Sequence, residues 1–260
     1  MISTPPFPEI LVINLDHRSD RWTTIAERCA RAGLQPNRVS AVVEKPGWKG
    51  CGRSHVRCVE IAKERGLPWV LIIEDDALFS PESIGRFRSL LPHLWQNRDK
   101  WERFSGGPNL PPRIIPKPVI RIMSQEHRLL YVRGLAAHFN LIHAGAYDAV
   151  LRWDPRIDRM IDVYFMALET HPRTIFNSIA TVPFIATQEP GVSDVDARGN
   201  VDYTRVFRFS EQKLSQFLDA GEPTWKRPRP ASRWFKNPAV RLIRLWRARK
   251  AKWRVGNRWL

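Results

Sequence analysis

The spacing of apolar residues changes in a regular order over the first 80 positions. Ile10-Leu11-Val12-Ile13-Asn14-Leu15 is a nearly unbroken apolar run of strand length. Trp22, Ile25, Ala26 and Cys29 then recur at i, i+3, i+4 and i+7, the helical period, and Gly33 supplies the stop. Val39-Ser40-Ala41-Val42-Val43 predicts a second strand. Gly50-Cys51-Gly52 predicts a turn with Ser54 as the start of the next helix, whose stripe is Val56, Val59 and Ala62 up to Gly66. Trp69 to Ile73 is a third apolar run. The rhythm β-α-β-α-β predicts an α/β fold, an open, mostly parallel sheet with flanking helices.

Further along, Ser80-Pro81 marks a helix start, and Ile84, Phe87, Leu91 and Leu94 give that helix a buried stripe. The Gly- and Pro-rich stretch from Trp101 to Pro118 predicts an irregular segment, a loop over the site. Short strands are expected at Val119–Met123, Leu129–Val132 and His138–Ile142, and a helix at Ala144–Leu151. A last apolar run, Thr181 to Ile185, leads into Thr187-Gln188-Glu189-Pro190-Gly191-Val192-Ser193-Asp194.

The third run carries the strongest chemical signal, because Trp69-Val70-Leu71-Ile72-Ile73 ends in Glu74-Asp75-Asp76. Three adjacent carboxylates repel one another and are costly to desolvate, which a hard divalent cation would offset. The plainer alternative is a solvated loop or a helix cap. Strand alternation puts Glu74 and Asp76 on one face and Asp75 on the other. In open α/β sheets ligands bind beyond the carboxyl ends of strands. The turns after Leu15, Ile73 and Ile185 all lie at such ends and can converge on one crevice.

Composition fits a globular chain of one main domain, with 260 residues, 43% hydrophobic and 10% aromatic. The net charge of +16 is unevenly placed. Thirteen Lys and Arg and no acid lie between Trp225 and Leu260, leaving only +3 on the rest. The expected division is therefore a domain over 1–224 and a basic, Trp-rich tail over 225–260. In that tail Ala239, Leu242, Ile243 and Trp246, with Trp253 beyond, form an imperfect amphipathic stripe among arginines. Such a segment suits an anionic membrane surface, at up to ~1 kcal/mol per charge. Cys29, Cys51 and Cys58 match no zinc spacing and leave one thiol over in any disulfide scheme, which favours a reducing compartment. Met1 to Pro8 lacks the charge and apolar core of a secretion signal, so a cytoplasmic, membrane-peripheral location is expected.

Ile13-Asn14-Leu15 with Arg18 and Asp20-Arg21, Gly50-Cys51 with Ser54-His55, and Leu71 to Ala77 around the three acids resemble, in residues, order and spacing, glycosyltransferase family 25. That family includes bacterial lipooligosaccharide galactosyltransferases and the glycosyltransferase domains of collagen-modifying enzymes. Phe104-Ser105-Gly106-Gly107 sits where the family has a strand ending in glycine, Ile161 to Phe165 resembles its aspartate-bearing helix, and Pro183 to Gln188 with Ser193-Asp194 resembles its closing segment. The usual Gly-Thr and Tyr of the segment around Leu135 to Leu151 are not matched.

The resemblance implies a GT-A-like fold, a UDP-sugar donor (galactose or glucose), a glycan or glycolipid acceptor of the cell envelope, inversion at the anomeric carbon, and Mn²⁺ or Mg²⁺ as cofactor. A divalent ion at Glu74 and Asp76 would neutralise charge on the departing diphosphate. Asp75 would contact ribose or cap the turn. Asn14, Leu15, Arg18, Arg21, Ser54, Gln188, Ser193 and Asp194 are the other candidate donor contacts, the arginines suiting phosphate oxygens. Asp162 is the first candidate base for the acceptor hydroxyl, with Asp158 at i−4 on the same helical face second. His55 would donate to substrate or position the acids.

Two other function classes compete. A nucleic-acid-binding protein would use the basic Trp-bearing tail for phosphates and bases, yet leaves the three ordered motifs unexplained. A glycosyltransferase-like module without catalysis would leave the retained acids unexplained.

Overall fold

The computed structural model describes residues 5–110, 121–170, 176–192 and 200–221. Alternation along the first strands sets the layers. In β1 (Glu9–Asn14), Ile10 and Val12 face one side of the sheet while Leu11 and Ile13 face the other. In β3 (Trp69–Glu74), Leu71 and Ile73 join the first side and Val70 and Ile72 the second. Both faces must therefore be covered by helices.

On the first face lie α1 (Ser19–Arg31), through Ile25 and Cys29, and α3 (Pro81–Gln96), through Ile84, Phe87, Leu91 and Leu94. On the second lie α2 (Gly47–Glu64), through Cys58, Val59 and Ala62, with α4 (Tyr147–Leu151) and α5 (Ile161–Thr170). The remaining strands are β2 (Pro36–Ser40), β4 (Ala77–Leu78), β5 (Arg103–Ser105), β6 (Arg121–Ser124), β7 (Leu129–Tyr131), β8 (Phe139–His143), β9 (Ser178–Thr181), β10 (Thr187–Gln188), β11 (Gly191–Val192) and β12 (Asn200–Val201). A last helix, α6 (Thr204–Asp219), packs Phe207, Leu214 and Leu218 against Leu130 and Ala180.

The fold is α/β, with an open eight-stranded sheet in the order β2-β1-β3-β8-β5-β9-β7-β6. β2, β1 and β3 run parallel, β8 lies antiparallel between β3 and β5, β5 and β9 are parallel, and β7 and β6 complete the edge antiparallel. β10 pairs with β4, carrying the chain after Ile185 to the end of β3. Among the described residues no helix is long and apolar enough to cross a membrane. The basic tail lies outside them.

Several predicted boundaries are corrected. The second strand is Pro36–Ser40, because its partner β1 ends at Asn14, opposite Ser40; Val43 beyond it is 77% exposed. The second helix begins at Gly47 rather than Ser54, so Gly50 and Gly52 are helical and form no turn. Their lack of a side chain serves close packing: a Cβ on Gly50 would lie 2.3 Å from the Val42 carbonyl oxygen, and one on Gly52 2.3 Å from the Trp153 ring.

The segment after Trp101 is no loose loop up to Leu110; β5 is a buried interior strand, and Trp101 and Phe104 are core residues. Positions 111–120, the rest of that predicted loop, lie outside the described residues. The last apolar run is a strand only to Thr181, since Pro183 has no N–H for the ladder. Asp158 precedes α5, and its carboxylate accepts the Asp154 N–H at 2.8 Å, so it does not share a helical face with Asp162.

Gly50→Ala is expected to lower stability by about 1–3 kcal/mol, because the added methyl meets rigid backbone. Gly85→Ala, on an exposed position of α3 with nothing within 4 Å, is expected to raise it by about 0.5–1 kcal/mol. Thermal melts of the two variants check both signs.

Candidate functional site

The three acids at the end of β3 are each met by a different set of groups. The Glu74 backbone N–H donates to the His138 carbonyl at 2.9 Å, continuing the β3–β8 ladder and fixing the acid at the sheet's edge. Glu74 Oε1 lies 2.9 Å from His55 Nε2 and 3.7 Å from Cys51 Sγ. Both partners come from α2, four residues apart on consecutive turns. Burial pushes the Glu74 carboxyl upward, but the hydrogen bond and charge of His55, with smaller help from His138 and Cys51, outweigh it and hold the acid below its usual range.

Asp75 turns the other way. Its Oδ2 accepts from Asn14 Nδ2 at 2.8 Å and its Oδ1 from Arg21 Nη1 at 3.2 Å. Asn14 Oδ1 in turn accepts from Arg38 Nε at 2.9 Å, which locks the amide orientation. Burial raises the Asp75 carboxyl, and Asn14 and Arg21 only partly offset that rise. Asp76 has the least compensation: Gln188 Nε2 stands 3.5 Å from each of its oxygens. Burial, then the charges of Glu74 and Asp75, push its carboxyl from 3.8 to about 7.

Gln188 reaches this point because β10 pairs with β4. Gln188 lies opposite Ala77, the Glu189 N–H donates to the Asp76 carbonyl at 2.8 Å, and Glu189 pairs with Arg28 at 2.8 Å. Arg21 also donates to the Val192 carbonyl at 2.6 Å, tying the closing segment to α1. The turns after β1, β3 and Ile185 thus meet at one end of the sheet, as the carboxyl-end rule predicts. Arg18 packs its guanidinium against Asp20 at 3.1 Å, at the same end of the sheet. Leu15 borders the turn between them, half-buried.

Ser54 is fully buried and engaged. Its Oγ donates to the Gly50 carbonyl and accepts the Val42 N–H, each at 2.8 Å, so it fastens the loop before α2 to the helix. Asp162 stands on the first turn of α5. Its Oδ1 accepts the Val163 N–H at 2.7 Å and its Oδ2 the Ala136 N–H at 3.3 Å. Burial raises its carboxyl and the charge of Glu74 adds to the rise, whereas the two backbone N–H groups lower it. Ser193 and Asp194 lie outside the described residues.

Four contributors escape a reading of the sequence. Cys51 joins Glu74 through the i, i+4 geometry that appears once Gly50–Gly52 is helical. His138 is buried, its Nε2 3.2 Å from the Ala186 carbonyl, and burial pulls its imidazole down to about 4. Arg28, buried on α1, donates to Glu189, and Arg38, exposed on β2, donates to Asn14. The signal for Arg28 was available, since it follows Ile25 by three on the buried face.

The acid cluster fits a divalent cation. Glu74 and Asp76 present hard oxygen donors from one edge, and the high proton affinity of Asp76 marks a carboxylate that lacks a neutralising partner among the described residues. No family model matches the chain, and no curated protein matches it. Among solved structures, a glycosyltransferase involved in the glycosylation of the major capsid of PBCV-1 is similar at 10% sequence identity and a TM-score of 0.47, over 81% of this chain and 100% of that chain. A likeness at that level leaves the functional reading to the site itself.

The Asp76 shift has a defined sign. Its folded-state affinity for protons exceeds the unfolded one, so metal-free stability from this group is present below pH about 3.8 and is lost as pH rises to about 7. Asp76→Asn is therefore expected to melt above the wild type in chelator, by a margin that widens from pH 4 to pH 7. A margin independent of pH would contradict the assignment.

Proposed function

We propose that this chain is a divalent-metal-dependent glycosyltransferase of the family 25 type, with a GT-A-like fold. It moves a hexose from a nucleotide-diphosphate sugar to a glycan or glycolipid acceptor with inversion. The observation that carries the reading is the acid triplet at the carboxyl end of β3, split so that Glu74 and Asp76 share the Gln188 amide while Asp75 binds Asn14 and Arg21. The three ordered motifs that resemble the family supply these same residues.

Glu74 and Asp76 would hold Mn²⁺ or Mg²⁺, which when bound neutralises charge building on the departing diphosphate. Arg21 stands beside Asp75 and adds positive potential at that edge, where forked N–H donors suit phosphate oxygens. Asn14 holds Asp75 in the orientation that would meet the donor's ribose. Gln188 keeps the Asp76 and Glu74 carboxylates together through its amide. Inversion needs one base on the acceptor side. Asp162 suits it: its carboxylate is partly buried, raised in proton affinity by that burial, and aimed by two backbone N–H groups. Galactose or glucose on UDP, an envelope glycan as acceptor, and attachment of the basic tail to an anionic membrane complete the proposal; their support is the motif resemblance and the tail's composition.

Transfer and hydrolysis assayed over a panel of nucleotide sugars, with Mn²⁺ or with chelator, test the reading. The expected result is turnover of one donor that needs the metal, lost by at least ~10²-fold in Asp76→Ala, while Asp162→Asn keeps donor affinity and loses about 10²–10⁴-fold in kcat. Turnover unchanged in Asp76→Ala, or no metal-dependent binding of any donor, would overturn it.

A further inference from the structure

We propose that Cys51 Sγ, His55 Nε2 and Glu74 Oε1 form a second cation site, of the soft, zinc-binding kind, back to back with the hard-oxygen site at Asp76. The three ligand atoms lie within 4.8 Å of one another, with His55 Nε2 to Glu74 Oε1 at 2.9 Å and Cys51 Sγ to Glu74 Oε1 at 3.7 Å. Tetrahedral zinc, with bonds of ~2.0–2.1 Å to nitrogen and oxygen and ~2.3 Å to sulfur, separates such ligands by roughly 3.3–3.6 Å. The two distances to Glu74 lie within a few tenths of an ångström of those values, and the Cys51–His55 side lies inside 4.8 Å.

The supports are rigid. Cys51 and His55 sit four residues apart on α2, whose start is fixed by the tight Gly50 and Gly52 contacts, and Glu74 ends a buried strand. Donor chemistry separates the two sites. Thiolate and imidazole select zinc-like ions, whereas paired carboxylates select Mg²⁺ or Mn²⁺. Glu74 serves both through different oxygens, since its Oε1 faces Cys51 and His55 while its Oε2 lies 3.4 Å from Gln188 Nε2, on the Asp76 side. Cys51 and Glu74 are partly exposed and His55 is buried, and three protein ligands are the set that a zinc ion completes with a water or substrate atom. Binding exchanges one proton: the Cys51 S–H bond breaks, the sulfur keeps the electron pair as the metal ligand, and the proton goes to solvent. Burial and the Glu74 charge keep the free thiol protonated, so the site stays neutral at Cys51 until a cation arrives.

The proposal stands apart from the transferase reading and is tested without any sugar donor. Co²⁺, a spectroscopic stand-in for zinc, is titrated into the full chain with a phosphine reductant. The expected result is a thiolate-to-cobalt charge-transfer band in the near ultraviolet with intense visible bands of four-coordination. Zn²⁺ should displace both, Cys51→Ser should abolish both, and Asp76→Ala should keep both. Absence of the charge-transfer band at saturating Co²⁺, or its persistence in Cys51→Ser, would overturn the proposal. Zinc-edge X-ray absorption on the wild type needs no variant: one sulfur at ~2.3 Å supports the site, and a shell of oxygen and nitrogen alone refutes it. Cobalt bands in a wild-type protein that turns over no nucleotide sugar would show that the transferase reading had failed and this one had not.

Discussion

Holding three consecutive carboxylates at the end of a buried strand is the constraint around which the rest of the molecule is arranged. Desolvation and mutual repulsion act on all three, and the fold answers each differently. Glu74 is met by an imidazole and a thiol from α2, and Asp75 by an amide and a guanidinium from the β1 side. Asp76 is left with a weak amide contact and a proton affinity near neutrality. Only Glu74 is held below the usual carboxylate range, Asp75 is partly compensated, and Asp76 is compensated least, a gradient that suits an added cation at Asp76.

That distribution depends on backbone placement far from the acids. α2 can present Cys51 and His55 to Glu74 only because Gly50 and Gly52 let it press against Val42 and Trp153. Gln188 arrives only because the β10–β4 ribbon turns back across the edge of β3, and Arg28 secures that ribbon through both the Ala77 carbonyl and Glu189. Asp162 is carried by α5 on the second face and held by the Ala136 N–H, on an element separate from the strand that bears the acids.

The α/β rhythm, the strand that ends in acids and the convergence of three turns were legible in the sequence, because period and the carboxyl-end rule are local signals. The helical state of Gly50-Cys51-Gly52 was not. Glycine in a row reads as a turn, and only the tertiary neighbours Val42 and Trp153 reveal why small residues are needed within a helix. With that start misplaced, the pairing of Cys51 with His55 was hidden too. β5 was missed by composition, though the resemblance had set a strand ending in glycine at Phe104 to Gly107: Arg103 and the glycines after Ser105 look like loop, yet the arginine is fully buried, donating to Ser178 at 2.9 Å and lying over the Phe165 ring. His138 and Arg38 carry no motif at all, and their role follows from which strands become neighbours.

The central claim is that the uncompensated charge at Asp76 is a cation site. Electron paramagnetic resonance of Mn²⁺ measures it most directly, because the six-line signal of the free ion disappears on binding. Titration of the wild-type chain at pH 8 should remove the signal stoichiometrically, and Asp76→Asn, folded to the same degree by circular dichroism, should leave it free. An equal loss of signal in the two proteins, or none in the wild type, would contradict the account.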